Sequence, residues 1–209
     1  MGSQSSDINQ SIISLGQLIL QFARTNRSTF HEDGVTPESD TDHTVMLAIL
    51  ACACAEKFAP ELDRGKIAQY ALVHDLVEVY AQDTPTLRPM SSEEKQGKKN
   101  REKKAFDKIE AGFGKVFPWI TDTVREYDSK VAPEARFVKL IDTIVCKITS
   151  ILNKGATERK MGVNPTELVS INTYQRKKII EYINEWPDLI NIWDELSVET
   201  VRGLETKPN

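Results

Sequence analysis

Apolar residues recur at helical spacing along most of this chain. In the first such segment Ile12, Leu15, Ile19 and Phe22 lie three or four positions apart, which places them on one helix face. Later segments repeat this spacing, and the segment after residue 43 is apolar on nearly every side, as expected for a buried central helix. The pattern predicts helices over 8–24, 43–58, 64–80, 92–113, 119–127, 134–152, 165–186 and 189–201.

Start and stop signals support these helices. Ser39 and Asp42 form a possible capping box, Ser91 or Ser92 precedes two glutamates, and Asn164 stands before a proline at a helix start. The stretch 27–41 contains a glycine and a proline and is predicted to be a loop, and no β-hairpin signal is found. The sequence therefore predicts an all-α fold, a single helical bundle of about 7–9 helices.

Length and composition narrow the class of protein. The 209 residues suit one domain, predicted over 8–203, with a polar, disordered leader over 1–7 and a flexible tail over 204–209. A net charge of −4 argues against nucleic-acid binding, and the longest apolar run is too short to span a membrane. Cys52, Cys54 and Cys146 form no CxxC pair, so we expect buried, reduced thiols in a cytoplasmic protein.

The segment VHDLVEVYAQDTPT carries the strongest chemical signal. If it is helical, Glu78 lies four positions after His74 and three after Asp75, so the three side chains share one face. Their neighbours along the chain are apolar, and an ionised Asp75 in such surroundings needs a partner or a metal.

Two further residues extend this set. His43 begins the most apolar helix, and Asp142 interrupts the apolar run KLIDTIV. Each has a simpler interpretation, because a lone histidine could hydrogen-bond a carboxylate and Asp142 could pair with Lys139 or Arg136. Together with His74 and Asp75, however, they offer two imidazoles and two carboxylates, a mixed set suited to one divalent cation such as Mn²⁺, Co²⁺, Fe²⁺, Ni²⁺, Zn²⁺ or Mg²⁺.

The order H…HD…D resembles the HD-domain metal-dependent phosphohydrolases, and within them the 5′-deoxynucleotidase branch. The resemblance covers the chain from about residue 27 to Asp142. It implies that His43, His74, Asp75 and Asp142 bind the metal. It also implies that Glu78 acts on the attacking water or the leaving oxygen, and that Asp83 lies near the substrate sugar and the water.

The resemblance also places a phosphate-contacting arginine upstream of the first histidine. Arg27 occupies that position, with Arg24 as the alternative. His31, in the same predicted loop, could contact phosphate or have no role. Thr84 could contact substrate or simply end a helix with the proline that follows it.

The resemblance implies hydrolysis of deoxyribonucleoside 5′-monophosphates. It also implies a homodimer, because relatives of this kind are often dimers. The basic segment 88–104 leaves a dNTP triphosphohydrolase as an alternative, although a solvated helix face explains the same charges. A third hypothesis, from another class, is a regulatory HD module that binds a nucleotide without hydrolysing it. The C-terminal apolar helices could pack against a second subunit or close the core of this domain.

Overall fold

A computed structural model describes residues 2–206, so Met1 and residues 207–209 of the predicted tail lie outside it. The all-α prediction is confirmed. A π-helical turn, Glu110–Gly114, extends the helix Ser92–Ile109. The elements in chain order are α1 (Gly2–Phe22), β1 (Asn26–Phe30), β2 (Pro37–Ser39), α2 (Asp40–Phe58), α3 (Arg64–Val73), α4 (Glu78–Ala81), α5 (Ser92–Ile109), α6 (Pro118–Ser129), α7 (Pro133–Leu152), α8 (Ala156–Lys160), α9 (Pro165–Ile180) and α10 (Pro187–Glu205).

The predicted caps are present. The Ser39 side chain accepts from the backbone N–H of Asp42, whose carboxylate accepts from the Ser39 N–H in return. Ser91 and Glu94 form the same reciprocal pair at the start of α5, and Asn164 caps α9. These bonds satisfy backbone donors that a helix start leaves free, and so fix where each helix begins.

Helix α7 lies at the centre of the main hydrophobic core. Phe137 and Ile141 on α7 are fully buried, and they share the core with Leu47 of α2. Ile183, between α9 and α10, and Trp193 of α10 complete the same cluster. The C-terminal helices thus close the core of this domain. Homodimer formation and the domain limits 8–203 stay predictions.

The stretch 27–41, predicted to be a loop, contains a β-hairpin, so that prediction was wrong. Strands β1 and β2 pair antiparallel, with Asn26 opposite Ser39 and Phe30 opposite Pro37. The sequence does not signal this hairpin because its strands are short and polar. Contacts outside the hairpin hold it: the backbone N–H of Ser28 donates to Asp83, and the Asn153 amide donates to the Phe30 carbonyl.

The helix predicted over 64–80 is interrupted at the HD doublet. Helix α3 ends at Val73, and α4 starts only at Glu78. In between, the backbone closes tighter i→i+3 turns, with Leu76 bonded to Val73 and Glu78 to Asp75. The apolar pattern continues across the break, so it could not reveal it. The tighter turn sets the directions of the His74 and Asp75 side chains.

Smaller differences occur at other helix ends. The helix predicted over 165–186 ends at Ile180. Pro187 keeps Trp186 out of the helical conformation, and Trp186 stands just before α10 begins. Helix α8 is an addition to the predicted set, and α1 begins at Gly2, within the stretch predicted as a leader. In the part of the chain that the structure describes, none of the helices combines the length and apolar character needed to cross a bilayer.

The cysteines are unpaired but not buried as predicted. Cys52 and Cys54 are half-buried, and Cys146 is exposed on α7. For Cys146 the reason is its position on α7. Neighbours such as Val145 form the core face of this helix, whereas Cys146 lines the cavity described below.

Candidate metal centre and substrate cavity

His74 and Asp75 lie in the turn between α3 and α4. Nε2 of His74 is 2.9 Å from Oδ2 of Asp75. On the other side of the ring, Nδ1 is 2.8 Å from the carbonyl oxygen of Ala71. Because a carbonyl only accepts, Nδ1 must carry a proton, and Nε2 of the neutral ring presents a lone pair.

His43 and Asp142 reach the same place from other helices. Nε2 of His43, in the first turn of α2, is 2.9 Å from Oδ1 of Asp142, at the middle of α7. Nε2 of His74 is 4.0 Å from the same oxygen, and the two imidazole centroids are 5.3 Å apart. The structure therefore brings together all the residues predicted as metal ligands.

The unpaired atoms of this cluster fit a divalent cation. Nε2 of His74 is buried and, among the described residues, has no hydrogen-bond partner, although it faces carboxylate oxygens of Asp75 and Asp142. Burial would lower the pKa of His74, but these carboxylates outweigh burial and raise it. The site thus favours positive charge between these atoms. His43, His74 and Asp75 each offer a ligand atom within 4.8 Å of the others, as a divalent metal requires.

A second acidic group adjoins the first and shares Asp75 with it. Asp40, Asp75 and Glu78 each place a carboxylate oxygen within 4.8 Å of the others. Burial and the neighbouring Asp75 raise the pKa of Glu78 to about 9 and that of Asp40 to about 7. Asp75 differs, because His74 and Arg27 outweigh its burial and lower its pKa. Like charges at this distance disfavour joint ionisation, so in the metal-free protein Glu78 holds a proton.

Arg27 of β1 lies against this acidic group. Its Nη1 is 2.6 Å from Oδ2 of Asp75 and 3.4 Å from Oδ1 of Asp40. Its Nε is 3.6 Å from Glu38, which also accepts a hydrogen bond from Thr29. The hairpin thereby places a permanent cation beside the predicted metal ligands. Arg24, the alternative, is exposed in the turn after α1 and does not line the cavity.

A cavity of about 370 Å³ opens from this cluster. Asp83 and Thr84 line it near the hairpin, and Lys139 lines it beside Asp142. Asp83 accepts the Ser28 N–H at 2.8 Å, and Thr84 accepts a hydrogen bond from Arg101 at 2.8 Å. The volume is within the range of small-molecule sites, which starts at about 300 Å³.

A second recess, of about 410 Å³, lies on the other side of Asp75 and Glu78. It is bounded by α5, the end of α6 and the start of α7. Lysines provide most of its charged groups: Lys98, Lys99, Lys103, Lys130 and Lys139. Part of the predicted basic segment thus borders the cluster, whereas Arg88 pairs with Glu167 away from it.

His31 does not join the site. Its Nε2 is 3.2 Å from Oδ2 of Asp42, the capping residue of α2, and the ring is 35% exposed. It lines neither the cavity nor the recess. The hairpin turns His31 away from the face that carries Arg27.

Comparison with known proteins identifies the family of this chain. The profile of the HD domain family matches residues 20–184, which is most of the chain. This chain belongs to the HD domain family.

Relatives of this chain are named 5′-deoxynucleotidases. The chain is 26% identical over 139 residues, 66% of its length, to 5′-deoxynucleotidase HDDC2 of Xenopus laevis, and 26% identical over 135 residues, 64% of its length, to HDDC2 of Homo sapiens. It is 30% identical over 108 residues, 51% of its length, to 5′-deoxynucleotidase hdd1 of Schizosaccharomyces pombe. The matches cover 66%, 63% and 53% of these relatives, less than two thirds of each.

Solved structures share the fold. A predicted metal-dependent phosphohydrolase from Magnetospirillum magnetotacticum superposes with a TM-score of 0.74 at 22% identity, covering 95% of this chain and 98% of that chain. A conserved hypothetical protein from Pyrococcus furiosus gives a TM-score of 0.57 at 22% identity, covering 88% of this chain and 98% of that chain. At these identities the likeness supports the helical architecture alone.

Sequence reasoning missed several residues of the site. Asp40 is fully buried in the acidic group, and Glu38 is 2% exposed behind Arg27. A signal existed for Asp40, which stands three positions before His43 and so shares its helix face.

For Asp142, the alternative partner Lys139 is also present: its Nζ is 2.7 Å from Oδ2, while Oδ1 faces His43. One carboxylate therefore serves both contacts.

Proposed function

We propose that this HD domain is a metal-dependent phosphohydrolase that removes the 5′-phosphate from deoxyribonucleoside 5′-monophosphates. The observation that carries the proposal is the buried lone pair of His74, which faces two carboxylates at the end of a nucleotide-sized cavity. The relatives named 5′-deoxynucleotidase support the same substrate class.

In this proposal His43, His74, Asp75 and Asp142 hold one divalent cation. Such an ion, when bound, supplies Lewis-acid polarisation of a phosphoryl oxygen and of water. The two imidazoles favour Mn²⁺, Co²⁺, Fe²⁺, Ni²⁺ or Zn²⁺ over Mg²⁺, which prefers oxygen ligands.

The protein's own groups then handle the charge and the proton. Glu78 adjoins the ligands and exchanges a proton with the attacking water or the leaving oxygen, because burial beside Asp75 makes its carboxyl a good proton carrier. Arg27 lines the cavity and can turn its remaining N–H groups to phosphate oxygens. Asp83, which the Ser28 N–H holds in place, faces the sugar in this proposal, and Thr84 lies next to it.

A nucleotide panel tests the proposal. Metal-free protein is loaded separately with Mn²⁺, Co²⁺, Mg²⁺ and Zn²⁺, and phosphate release is measured from deoxyribonucleoside and ribonucleoside monophosphates. We expect metal-dependent release, preferentially from the deoxyribonucleotides, and loss of both metal binding and turnover in Asp75→Ala. Full activity of metal-free protein would contradict the proposal. Nucleotide binding without phosphate release would favour the regulatory alternative instead.

The lysine-rich recess supports a second candidate, a dNTP triphosphohydrolase. It shares Asp75, Glu78, Lys98 and Lys139 with the cavity, so a chain of phosphates could extend into it past the metal ligands. Lysine ammonium groups attract such a polyanion. Assaying dATP beside dAMP separates the two functions, because the second candidate releases tripolyphosphate from dATP and leaves dAMP intact.

A further inference from the structure

Helix α7 runs along the cavity from the predicted metal ligands to its far end. Asp142 stands at the near end, Cys146 follows, and Lys147 and Ser150 lie farther along, all lining the same cavity. From Asp142 to Ser150 the helix rises about 12 Å, at about 1.5 Å per residue. This distance is comparable with the long axis of a nucleoside monophosphate. A nucleotide whose phosphate lies at the metal ligands would therefore place its base near Lys147 and Ser150.

Lys147 is an unusual group at this far end. It is 6% exposed, and none of the described carboxylates forms an ion pair with it. Its Nζ donates to the side-chain oxygens of Asn172 at 2.6 Å and Gln175 at 3.0 Å. Both amides are themselves oriented, because Asn172 donates to the Ser197 carbonyl and Gln175 to the Leu87 carbonyl. An ammonium has three N–H donors. None of the described oxygen atoms accepts the third one, although Nζ also lies 4.7 Å from the centre of the Trp193 ring.

Glu158 of α8 supplies the complementary acceptor. It is 4% exposed and lines the same cavity. Its Oε1 accepts a hydrogen bond from Ser150 at 2.6 Å, whereas Oε2 is buried and, within residues 2–206, has no hydrogen-bond partner. A buried carboxylate oxygen without a donor is costly, so a ligand N–H would satisfy it.

We propose that Lys147 and Glu158 recognise the nucleobase of the substrate and determine base preference. This inference rests on the proposed function, since the metal ligands position the phosphate. Every nucleobase has a hydrogen-bond acceptor beside an N–H donor on its Watson–Crick edge, but their order differs. Adenine and cytosine have an exocyclic N–H beside a ring acceptor, whereas guanine and thymine have an exocyclic acceptor beside a ring N–H. Lys147 donates to the acceptor, and Glu158 accepts from the N–H. Tyr174 of α9 and Tyr182, in the turn after α9, also line the cavity and provide aromatic surface for the face of the base.

The mechanism proposed above does not use these residues. Lys147 bonds to Asn172 and Gln175, and Glu158 accepts from Ser150, so these bonds include neither Glu78 nor Arg27. Their substitution should therefore change the discrimination between substrates and leave the chemistry at the phosphate unchanged.

The test compares nucleotides with a substrate that lacks a base. We would measure kcat/KM for the deoxyribonucleoside monophosphates of the four bases and for deoxyribose 5-phosphate, using Lys147→Met, Glu158→Gln and the unmodified chain. We expect each variant to lose about 10- to 100-fold on the preferred base, as for a hydrogen bond to a charged group. Turnover of deoxyribose 5-phosphate should stay within twofold, and the order of preference among bases should change.

Lys177→Met is the matched control, because this exposed α9 lysine does not line the cavity. It should leave every substrate unchanged. Equal losses on nucleotides and deoxyribose 5-phosphate, or no loss on any nucleotide, would overturn the inference.

A failure of the proposed function has a different signature, since no nucleotide would then be hydrolysed. Equilibrium dialysis with free deoxynucleosides, which carry no phosphate, decides the inference in that case. Binding that Lys147→Met and Glu158→Gln weaken at least tenfold would support base recognition, and binding that neither weakens, or no binding, would overturn it.

Discussion

Nε2 of His43 lies 2.9 Å from Oδ1 of Asp142, although 99 positions separate the two residues in the chain. The contact joins the first turn of α2 to the middle of α7. Both residues are nearly buried, so the packing of the core fixes their positions before any ligand binds. A site built on rigid helices in this way suits a metal, whose ligands must be held closely in place.

Replacing Asp142 with asparagine should remove the metal. Asp142→Asn keeps the shape of the side chain but not its charge, and we expect metal content to fall and turnover to drop more than about 100-fold. Elemental analysis and phosphate release would measure both. Asp122→Asn, on the exposed face of α6, is the control. Full metal content in Asp142→Asn would show that this carboxylate is not a ligand.

Replacing Glu78 with glutamine should separate proton transfer from metal binding. Glu78→Gln cannot exchange a proton, so we expect kcat to fall by about 10²- to 10⁴-fold while the metal stays bound. The exposed Glu199→Gln should have no effect. If the metal is lost together with activity, Glu78 is a ligand instead of a proton carrier.

Arg27 should matter for stability as well as for binding. Arg27→Met removes the guanidinium that pairs with the buried carboxylates of Glu38 and Asp40. Breaking such a buried ion pair costs about 3–5 kcal/mol of unfolding free energy. Guanidinium denaturation of the metal-free protein measures this cost. Arg125→Met removes exposed ion pairs with Glu110 and Asp122 and should cost less than about 1 kcal/mol. Similar costs for both variants would refute the role given to Arg27.

Chelation should destabilise the folded protein. An ion that binds only the folded state, at about 100 times its Kd, contributes about 2.7 kcal/mol. For a chain of this size each kcal/mol changes Tm by about 2–4 °C. We therefore expect a chelator to lower Tm by about 5–10 °C, and to have no effect on Asp142→Asn. Calorimetry with and without chelator tests this, and an unchanged Tm in the unmodified protein would argue against a resident ion.

Lys147 should make stability depend on pH in the alkaline range. Burial lowers its pKa from 10.5 to about 8, so between these values the unfolded chain binds a proton that the folded chain has lost. Stability then rises with pH, by up to about 1.4 kcal/mol per pH unit. Relative to Lys147→Met, which lacks this group, the unmodified protein should gain stability from pH 8 to pH 10. Parallel pH profiles for the two proteins would contradict the shifted pKa.

The metal ligands could be predicted because they conflict with their surroundings. Asp75 and Asp142 are carboxylates in apolar helices, and that conflict is visible in one sequence. Their convergence could only be expected from the family resemblance, because spacing along the chain does not give the packing of α2 against α7. Asp40 was missed because its capping neighbours, Ser39 and Asp42, already explained the polar residues at that helix start.

The hairpin and the break after α3 could not be predicted, for a related reason. The hairpin depends on contacts between segments distant in the chain, and the break after α3 lies in a stretch whose apolar pattern continues without interruption. The bond from Ser28 to Asp83 joins β1 to the segment after α4, and periodicity contains no information about such a bond. The cavity end at Lys147 and Glu158 is likewise a tertiary feature, since α8 was not predicted at all.

The hydrogen bond between Ser28 and Asp83 has a consequence for measuring motion in solution. The Ser28 amide is protected only while β1 and the segment after α4 remain together in the wall of the cavity. Its rate of exchange with deuterium therefore follows how often these two segments separate. A bound nucleotide that bridges the two segments would slow this single amide far more than the amides of the core, so one backbone position can report occupancy of the cavity.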